Sequence, residues 1–238
     1  MSLSSARPVA VAVARRPALA AAALWAAAGL AYVAAEAAAA AAFPGYSYAT
    51  NYISDLGVPE VGVFQGRTID SPLHDLVNLA FVAQGILFIT AAILLTRAVT
   101  GGARRTFLVL AALHSVGIVL VGVFHGSQAS TAAGLEVLHV GGAGLAIVAG
   151  NVAVVVAGLG STARGTPTWY RVVSTGLGML GLASLVLLEL GYYTPGLKLL
   201  PDGVLERGSV YSIIVWELLT AVTLLVGVTR RRPPDAGR

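Results

Sequence analysis

Residues 135–160 read LEVLHVGGAGLAIVAGNVAVVVAGLG, a run in which Glu136 is the one charged residue. A bilayer core needs about 20 consecutive apolar residues per helix. Five further runs of this kind lie at 17–42, 74–98, 105–125, 169–193 and 209–229. Because lipid offers the backbone no hydrogen-bond partners, each run must be a helix. The sequence therefore predicts an all-α fold, an integral membrane bundle of six transmembrane helices.

The composition supports this prediction. Of the 238 residues, 57% are hydrophobic and 11% are charged, against roughly 45–50% and about 25% in average globular proteins. So few charged residues cannot cover the surface of a soluble domain. The composition therefore argues against a soluble, disordered or nucleic-acid-binding protein, and no nucleic acid partner is expected. The absence of cysteine excludes thiol catalysis, disulfides and thiolate zinc sites.

The basic residues predict the orientation in the membrane. Twelve lie in segments that six spans place on one side: Arg7, Arg15, Arg16, Arg97, Arg104, Arg105, Arg164, Arg171, Arg230, Arg231, Arg232 and Arg238. Arg67, Lys198 and Arg207 lie on the other side. By the positive-inside rule, both termini are cytoplasmic. We expect a multi-pass protein of the cell (plasma) membrane.

This topology divides the chain into three parts. Residues 1–16 form a basic cytoplasmic N-terminal segment, 17–229 form the transmembrane domain with a structured outer loop at 43–73, and 230–238 form a basic cytoplasmic tail. Arg15-Arg16 before an apolar run also resembles a signal peptide or a twin-arginine signal. The run of about 25 residues exceeds the 7–15 of a signal h-region, which favours an uncleaved span.

The acidic residues and histidines show the opposite asymmetry. Ten of the eleven acidic residues fall in outer loops or the outer half of a predicted span, and Asp235 is the exception. His114 lies near mid-membrane. Its role is interpreted either as a proton relay or as an interhelical hydrogen bond. For Glu189 and Glu217, pairing with Arg207 or Lys198 is the simplest prediction. Because polar groups within spans face the bundle interior or a watery cavity, any site is expected to open outward.

A metal centre is one hypothesis for the outer side. His74, His125 and His139 would ligate a divalent metal such as zinc, with Asp75 or Glu136 as fourth ligand or base. Three protein ligands plus water is the usual arrangement in zinc hydrolases. The alternative is that these are interfacial histidines bonded to loop backbone or carboxylates, since no dense motif such as H-E-x-x-H is present.

The outer loop contains the run YATNYISDLG at 48–57. It predicts a short interfacial helix that ends at Gly57, or a new turn capped by Ser54 and Asp55. This run is part of the long polar outer loop at 43–73. A structured loop of that length is expected to act either as a lid or binding loop, or as a cap that closes the bundle.

Several motifs together resemble a known family. They are ISDLG at 53–57, SPLHDLVN at 71–78, GVF at 122–124, His139, GVLER at 203–207 and Trp216. In this combination, from about 20 to 228, the chain resembles the prokaryotic six-span membrane proteins of domain of unknown function 998. The resemblance implies a six-helix bundle in a cell membrane with no established activity. It favours Ser54, Asp55, His74, Asn78, His139, Glu206, Arg207 and Trp216 as site residues. Where the family commonly has proline after GVF, this chain has His125, which argues against a required metal ligand there.

Three functions are compatible with these patterns. The first is binding of a membrane lipid, or of a protein partner or second copy, through an outer polar pocket formed by Ser54, Asn78, Glu206, Arg207, Trp216 and Glu217. The second is a hydrolase or transferase acting on a lipid-like substrate, with Asp55 or Asp75 as the catalytic base. The third is a small-solute transporter, which the division into three plus three spans permits.

Overall fold

The computed structural model of the chain describes residues 15–98, 103–160 and 166–229. Within these ranges lie seven α-helices: α1 (Arg15–Ala42), α2 (His74–Ala98), α3 (Arg104–Val123), α4 (Gln128–Ala132), α5 (Glu136–Gly160), α6 (Thr168–Tyr193) and α7 (Asp202–Thr229). All but the short α4 are long and apolar enough to cross a membrane. The prediction of an all-α fold with six spans is confirmed.

Five of the six long helices begin within two residues of the predicted start, and α7 is the exception. It begins at Asp202 rather than at 209. Residues 202–209 include Asp202, Glu206 and Arg207. These charged residues interrupt the apolar run, but they do not interrupt the helix. Asp202 lies in the first turn of α7, where a negative charge stabilises the helix dipole.

The six long helices form a closed ring. Each long helix packs against the next along the chain, and α1 packs against α7 to complete the circle. Successive helices therefore run in opposite directions. We call the end that carries residues 43–73 the capped end, and the opposite end, where Arg16, Arg97, Arg104 and Arg171 lie, the basic end. Of the basic segments predicted at 1–16 and 230–238, residues 1–14 and 230–238 lie outside the described residues, and Arg15 and Arg16 begin α1.

Two clusters of buried side chains fill the ring at different levels. The cluster near the capped end includes Tyr32, Phe43 and Phe81. The cluster nearer the basic end includes Trp25 and Trp216. The outward faces of the helices instead expose large apolar side chains, for example Leu30, Leu79 and Val172, as a surface in contact with lipid requires.

The chain between α1 and α2, residues 43–73, forms a compact cap segment. A 3₁₀ helix (Ser54–Gly57) replaces the longer interfacial helix predicted at 48–57, and it ends at Gly57 as expected. It is followed by an antiparallel hairpin of β1 (Gly62–Phe64) and β2 (Arg67–Ile69), in which Val63 faces Thr68. Gln65 and Gly66 form its two-residue turn with positive φ angles of 49° and 79°, the conformation that a tight hairpin turn requires.

Small residues let α3 and α5 approach closely. A β-carbon at Gly142 would lie 2.8 Å from Cβ of Leu120 and 2.9 Å from the carbonyl oxygen of Gly117. At Gly117 it would lie 2.5 Å from the backbone nitrogen of Ala146. The sequence interpretation of Gly142 and Ala146 as close-packing positions agrees with this contact.

Gly142→Ala is expected to destabilise the protein, because its methyl group meets the backbone of α3. Overpacking of this kind costs about 1–3 kcal/mol. Gly141→Ala is the matched control, since a β-carbon at Gly141 meets nothing within 4 Å. Thermal unfolding in detergent, followed by circular dichroism, measures both. Equal unfolding temperatures for the two variants would contradict this account of the contact.

Candidate functional site

A buried ion pair joins the first and last helices near the capped end. Arg207 of α7 lies with its Nε 3.0 Å from Oε1 of Glu36 on α1. Glu36 is 1% exposed and Arg207 is 8% exposed. The hydroxyl of Tyr211 donates a hydrogen bond to the second oxygen of Glu36 at 2.8 Å. Both carboxylate oxygens of Glu36 are therefore bonded, and its charge is compensated.

The same guanidinium holds the cap segment. Nη1 of Arg207 donates to the carbonyl oxygens of Tyr48, Asn51 and Gly203 at 2.7, 2.9 and 3.0 Å. Nη2 donates to the hydroxyl of Tyr46. The guanidinium carbon also lies 4.8 Å from the ring centre of Tyr48, within the range of a cation–π contact. One side chain thus ties α1, α7 and the cap segment together.

A second ion pair stabilises the cap segment internally. Asp55 accepts from Nε and Nη2 of Arg67 at 2.8 and 3.0 Å, the two-pronged geometry that strengthens such pairs. It also accepts from the side-chain amide of Asn51 and the backbone N–H of Tyr52, each at 3.1 Å. Asp55 is 2% exposed. A carboxylate that accepts four hydrogen bonds is poorly placed to act as a base.

Three further contacts fasten the 3₁₀ turn to the bundle. Glu206 accepts from the backbone N–H of Ile53, and the side-chain amide of Asn78 donates to the carbonyl of Gly57 at 2.8 Å. The hydroxyl of Ser71 donates to the carbonyl of Leu56 at 2.6 Å. Ser54, predicted to bind a ligand, is half-buried at the start of this turn.

The aromatic side chains of the cap segment act as neutral hydrogen-bonding groups. Burial raises the pKa of Tyr46, and Arg207 partly offsets the shift. Burial also raises the pKa of Tyr52, with the charge of Asp202 adding to it. Tyr46 donates its hydroxyl hydrogen to the carbonyl of Tyr52 at 3.1 Å.

Two of the three predicted metal ligands, His74 and His139, contact backbone carbonyls. Nδ1 of His74 lies 2.9 Å from the carbonyl of Ser71, and Nδ1 of His139 lies 2.7 Å from that of Phe124. Nε2 of His74 is 3.5 Å from the exposed carboxylate of Asp75. Burial lowers the pKa of His125, which the charge of Glu60 opposes. In the part of the chain that the structure describes, no group of three histidine or acidic residues is arranged to hold a metal ion. The zinc hypothesis stays a prediction.

Trp216 and Glu217 lie apart from this outer network. Trp216 packs against Trp25 with ring centres 5.2 Å apart, in the cluster nearer the basic end. Glu217 accepts from the side-chain amide of Gln84 on α2. The predicted pairing of Glu217 with Arg207 or Lys198 is wrong, because Arg207 binds Glu36 and Lys198 binds Asp202.

Sequence reasoning missed several of the partners that the structure brings together. Glu36 shares one face of α1 with Trp25 and Tyr32, and all three are buried. Their spacing in the sequence therefore indicated that Glu36 faces the interior. Gln84 was missed; its signal is a lone amide inside an apolar span. Arg67 was noted as a charge but not as the partner of Asp55.

A depression opens at the capped end between the cap segment and the start of α7. It has a volume of about 410 Å³ and is lined by Thr50, Lys198, Leu199, Leu200, Pro201 and Asp202. Lys198 and Asp202 form an exposed ion pair at 2.8 Å. Nearby on α6, Tyr192 and Tyr193 are 63% and 76% exposed. We call this feature the 198–202 depression.

Comparison with known proteins identifies the family. A family model described as "Protein of unknown function (DUF998)" matches residues 26–223, a region that includes most of α1 and α7 and all of the helices between them. No curated protein and no solved structure matches the chain. The match confirms the resemblance found from the motifs. The chain therefore belongs to the DUF998 family of proteins of unknown function.

Proposed function

We propose that this membrane protein binds the headgroup of a zwitterionic phospholipid in the 198–202 depression, from the extracytoplasmic leaflet. The observation that supports the proposal is a pair of oppositely charged side chains in an open depression at the ends of membrane-spanning helices. Such a site binds a lipid partner and requires no chemical step.

The charges at the two ends of the bundle support this orientation. The basic end carries Arg15, Arg16, Arg97, Arg104, Arg105 and Arg171 among the described residues. At the capped end, Arg67, Lys198 and Arg207 are each paired with a carboxylate. Since excess Arg and Lys marks the cytoplasmic side, we place the basic end and both termini in the cytoplasm. The cap segment then faces outward from the plasma membrane.

The chemistry of the depression matches a zwitterionic headgroup. The ammonium of Lys198 attracts a phosphate, and the carboxylate of Asp202, 2.8 Å away, attracts a headgroup ammonium. Leu199 and Leu200, 72% and 46% exposed, provide apolar surface for the glycerol and upper acyl chain. The exposed Tyr192 and Tyr193 are typical of the membrane–water interface, which supports a position of the depression at headgroup depth.

The enzymatic alternative receives less support from the geometry. Asp55, one proposed base, is held by Arg67 and two further donors. Asp75, the other, has a side chain that is 97% exposed. A water-exposed carboxylate has no surrounding groups that would exclude water or orient a substrate.

Binding of short-chain phospholipids to the purified protein tests the proposal. We expect dihexanoyl-phosphatidylcholine to bind more tightly than dihexanoyl-phosphatidylglycerol, which lacks the ammonium group. Lys198→Gln and Asp202→Asn should each weaken binding about tenfold, equivalent to about 1.4 kcal/mol. Isothermal titration calorimetry in a non-ionic detergent measures the affinities.

Glu60→Gln is the matched control, because it removes one charge at the capped end outside the depression. It should bind the phosphocholine lipid as the wild type does. Equal binding of the two lipids, or unchanged binding by both depression variants, would contradict the proposal. If a protein were cross-linked at position 198 in membranes and no phospholipid bound, the ligand of the depression would be a protein partner and not a lipid.

The proposed orientation has its own test, because Lys198 is the only lysine in the sequence. A membrane-impermeant amine reagent applied to intact spheroplasts should modify Lys198, as read by peptide mass spectrometry. Lys198→Arg keeps the charge and removes the reactive amine, so its peptide should stay unmodified. Modification of Lys198 only after lysis would reverse the orientation.

A further inference from the structure

An acidic side chain lies deep inside the ring of helices. Glu217 is 0% exposed. At 1.5 Å per residue it is about 22 Å from the start of α7 and about 18 Å from its end. A charged side chain at such a depth is costly. The structure must therefore either supply the opposite charge or keep this carboxyl neutral.

Gln84 of α2 is the hydrogen-bond partner of Glu217. Its side-chain amide is buried and donates to Oε1 of the carboxyl. In the ring, α1 packs against both α2 and α7, so this hydrogen bond joins two helices between which α1 lies. An amide is uncharged. It therefore stabilises the carboxyl without supplying the opposite charge.

The carboxyl and the amide each keep one oxygen that has no hydrogen-bond partner among the described residues. These atoms are Oε2 of Glu217 and Oε1 of Gln84. A β-carbon at Gly29 would lie 3.4 Å from Oε2, so this oxygen lies against α1, where the backbone N–H groups are used within the helix. Buried acceptors without a donor are costly. One hydrogen shared by the two oxygens would satisfy both.

Among the residues that the structure describes, no cation is paired with this carboxyl. On α7, Arg207 is paired with Glu36 of α1. On α2, the charged residues Asp75 and Arg97 lie at the helix ends. Burial and the amide hydrogen bond are the influences that act on the carboxyl. An isolated carboxylate in an apolar interior is strongly disfavoured, and such a group is neutralised by a proton instead.

The titratable side chains on the surrounding helices have other partners. The phenol of Tyr32 on α1 interacts with the charged groups near the capped end. The phenol of Tyr170 on α6 is bonded to the hydroxyl of Thr220 at 2.9 Å. On α3, Nδ1 of His114 lies 2.8 Å from the carbonyl oxygen of Ala146, which is the interhelical hydrogen bond predicted for this histidine. None of the three acts on the buried carboxyl.

We propose that Glu217 is an intramembrane proton-binding site, which holds a proton on Oε2 and donates it in a hydrogen bond to Oε1 of Gln84. Binding forms one O–H bond from the carboxylate and a proton of the surrounding water, and it leaves the carboxyl neutral. The amide of Gln84 already donates to Oε1 of Glu217. The two side chains then form a neutral acid–amide pair with two hydrogen bonds. This site is independent of lipid binding at the capped end.

The surroundings of the carboxyl favour a proton over a metal cation. Hard cations such as Ca²⁺ and Mg²⁺ require about six oxygen ligands, whereas the acid–amide pair offers two free oxygens. The wall beside Oε2 is apolar, since a β-carbon at Gly29 would lie 3.3 Å from both Ile214 and Leu218. A proton needs one acceptor, and Gln84 provides it.

Infrared spectroscopy of the full-length protein tests for the bound proton. A maltoside detergent is used, because it adds no ester carbonyl band. At neutral pH, where exposed glutamates are ionised, the spectrum of the wild type minus that of Glu217→Gln should show the carbonyl band of a protonated carboxyl. Glutamine at 217 can keep both hydrogen bonds of the pair, so this variant should fold, which circular dichroism verifies. Carboxylate bands in place of the carbonyl band would overturn the proposal.

Glu60→Gln is the matched control, because Glu60 is exposed in the cap segment. The wild type minus this variant should show carboxylate bands and no band of a protonated carboxyl. The wild-type carbonyl band at Glu217 should also be the same in sodium and potassium chloride. Loss of this band in one of the two salts would assign the carboxyl to a metal cation and contradict the proposal.

The role of Gln84 requires a second measurement. In Gln84→Leu the carboxyl loses both hydrogen bonds, so its carbonyl band should move to higher frequency. Gln65→Leu is the matched control, because it removes an exposed amide that is bonded to Glu136 at 3.2 Å, and it should leave the band in place. Gln84→Met, with an unbranched side chain of similar length, replaces Gln84→Leu if the latter does not fold. An unchanged band in a folded Gln84 variant would contradict the acid–amide pair.

Discussion

A membrane interior offers no water to a charged side chain, so each charge that enters the bundle must be satisfied by the protein itself. Arg207 shows how this constraint shapes the structure. Its guanidinium neutralises Glu36 and occupies three backbone carbonyls of the cap segment and α7. Removing either charge would leave the other buried without a partner, which costs about 3–5 kcal/mol in comparable cases. The closure of the helix ring and the fold of the cap segment both depend on this pair.

The polar residues divide into two layers with different properties. Near the capped end, acids and bases are matched: Glu36 with Arg207, and Asp55 with Arg67. Deeper in the bundle, Glu217 has an amide partner and, among the residues that the structure describes, no counter-charge. Matched pairs hold a structure in place, whereas an acid without a counter-charge is costly inside a membrane. The site residues selected from the sequence therefore lie in two different electrostatic environments.

Much of the fold was predictable, because an apolar run that is long enough to cross the lipid must form a helix. The run at 135–160 and its five counterparts predicted every long helix. The start of α7 was missed because Glu206 and Arg207 interrupt the apolar pattern, while their partners come from distant parts of the chain. The hairpin at 62–69 has strands of three residues, too short for an alternating pattern to indicate them.

The site was less predictable for a related reason. Hydrogen-bond partners at the capped end lie far apart in the chain, for example the 171 positions between Glu36 and Arg207, and single-sequence patterns carry no information on such contacts. Helical spacing could show that Glu36 faced the interior, but not which cation it would meet. Similarly, the apolar neighbours of Gln84 concealed its role as the partner of Glu217.

A double-mutant cycle on Glu36→Gln and Arg207→Met tests the importance of the buried pair most directly. The free energy of unfolding in detergent and the hydrogen exchange of residues 46–57 are measured for both single variants and the double variant. We predict that each single variant loses about 3–5 kcal/mol and that the double variant loses clearly less than the sum. Exchange at 46–57 should accelerate in Arg207→Met while the long helices stay protected. Additive losses together with unchanged exchange at 46–57 would contradict the account.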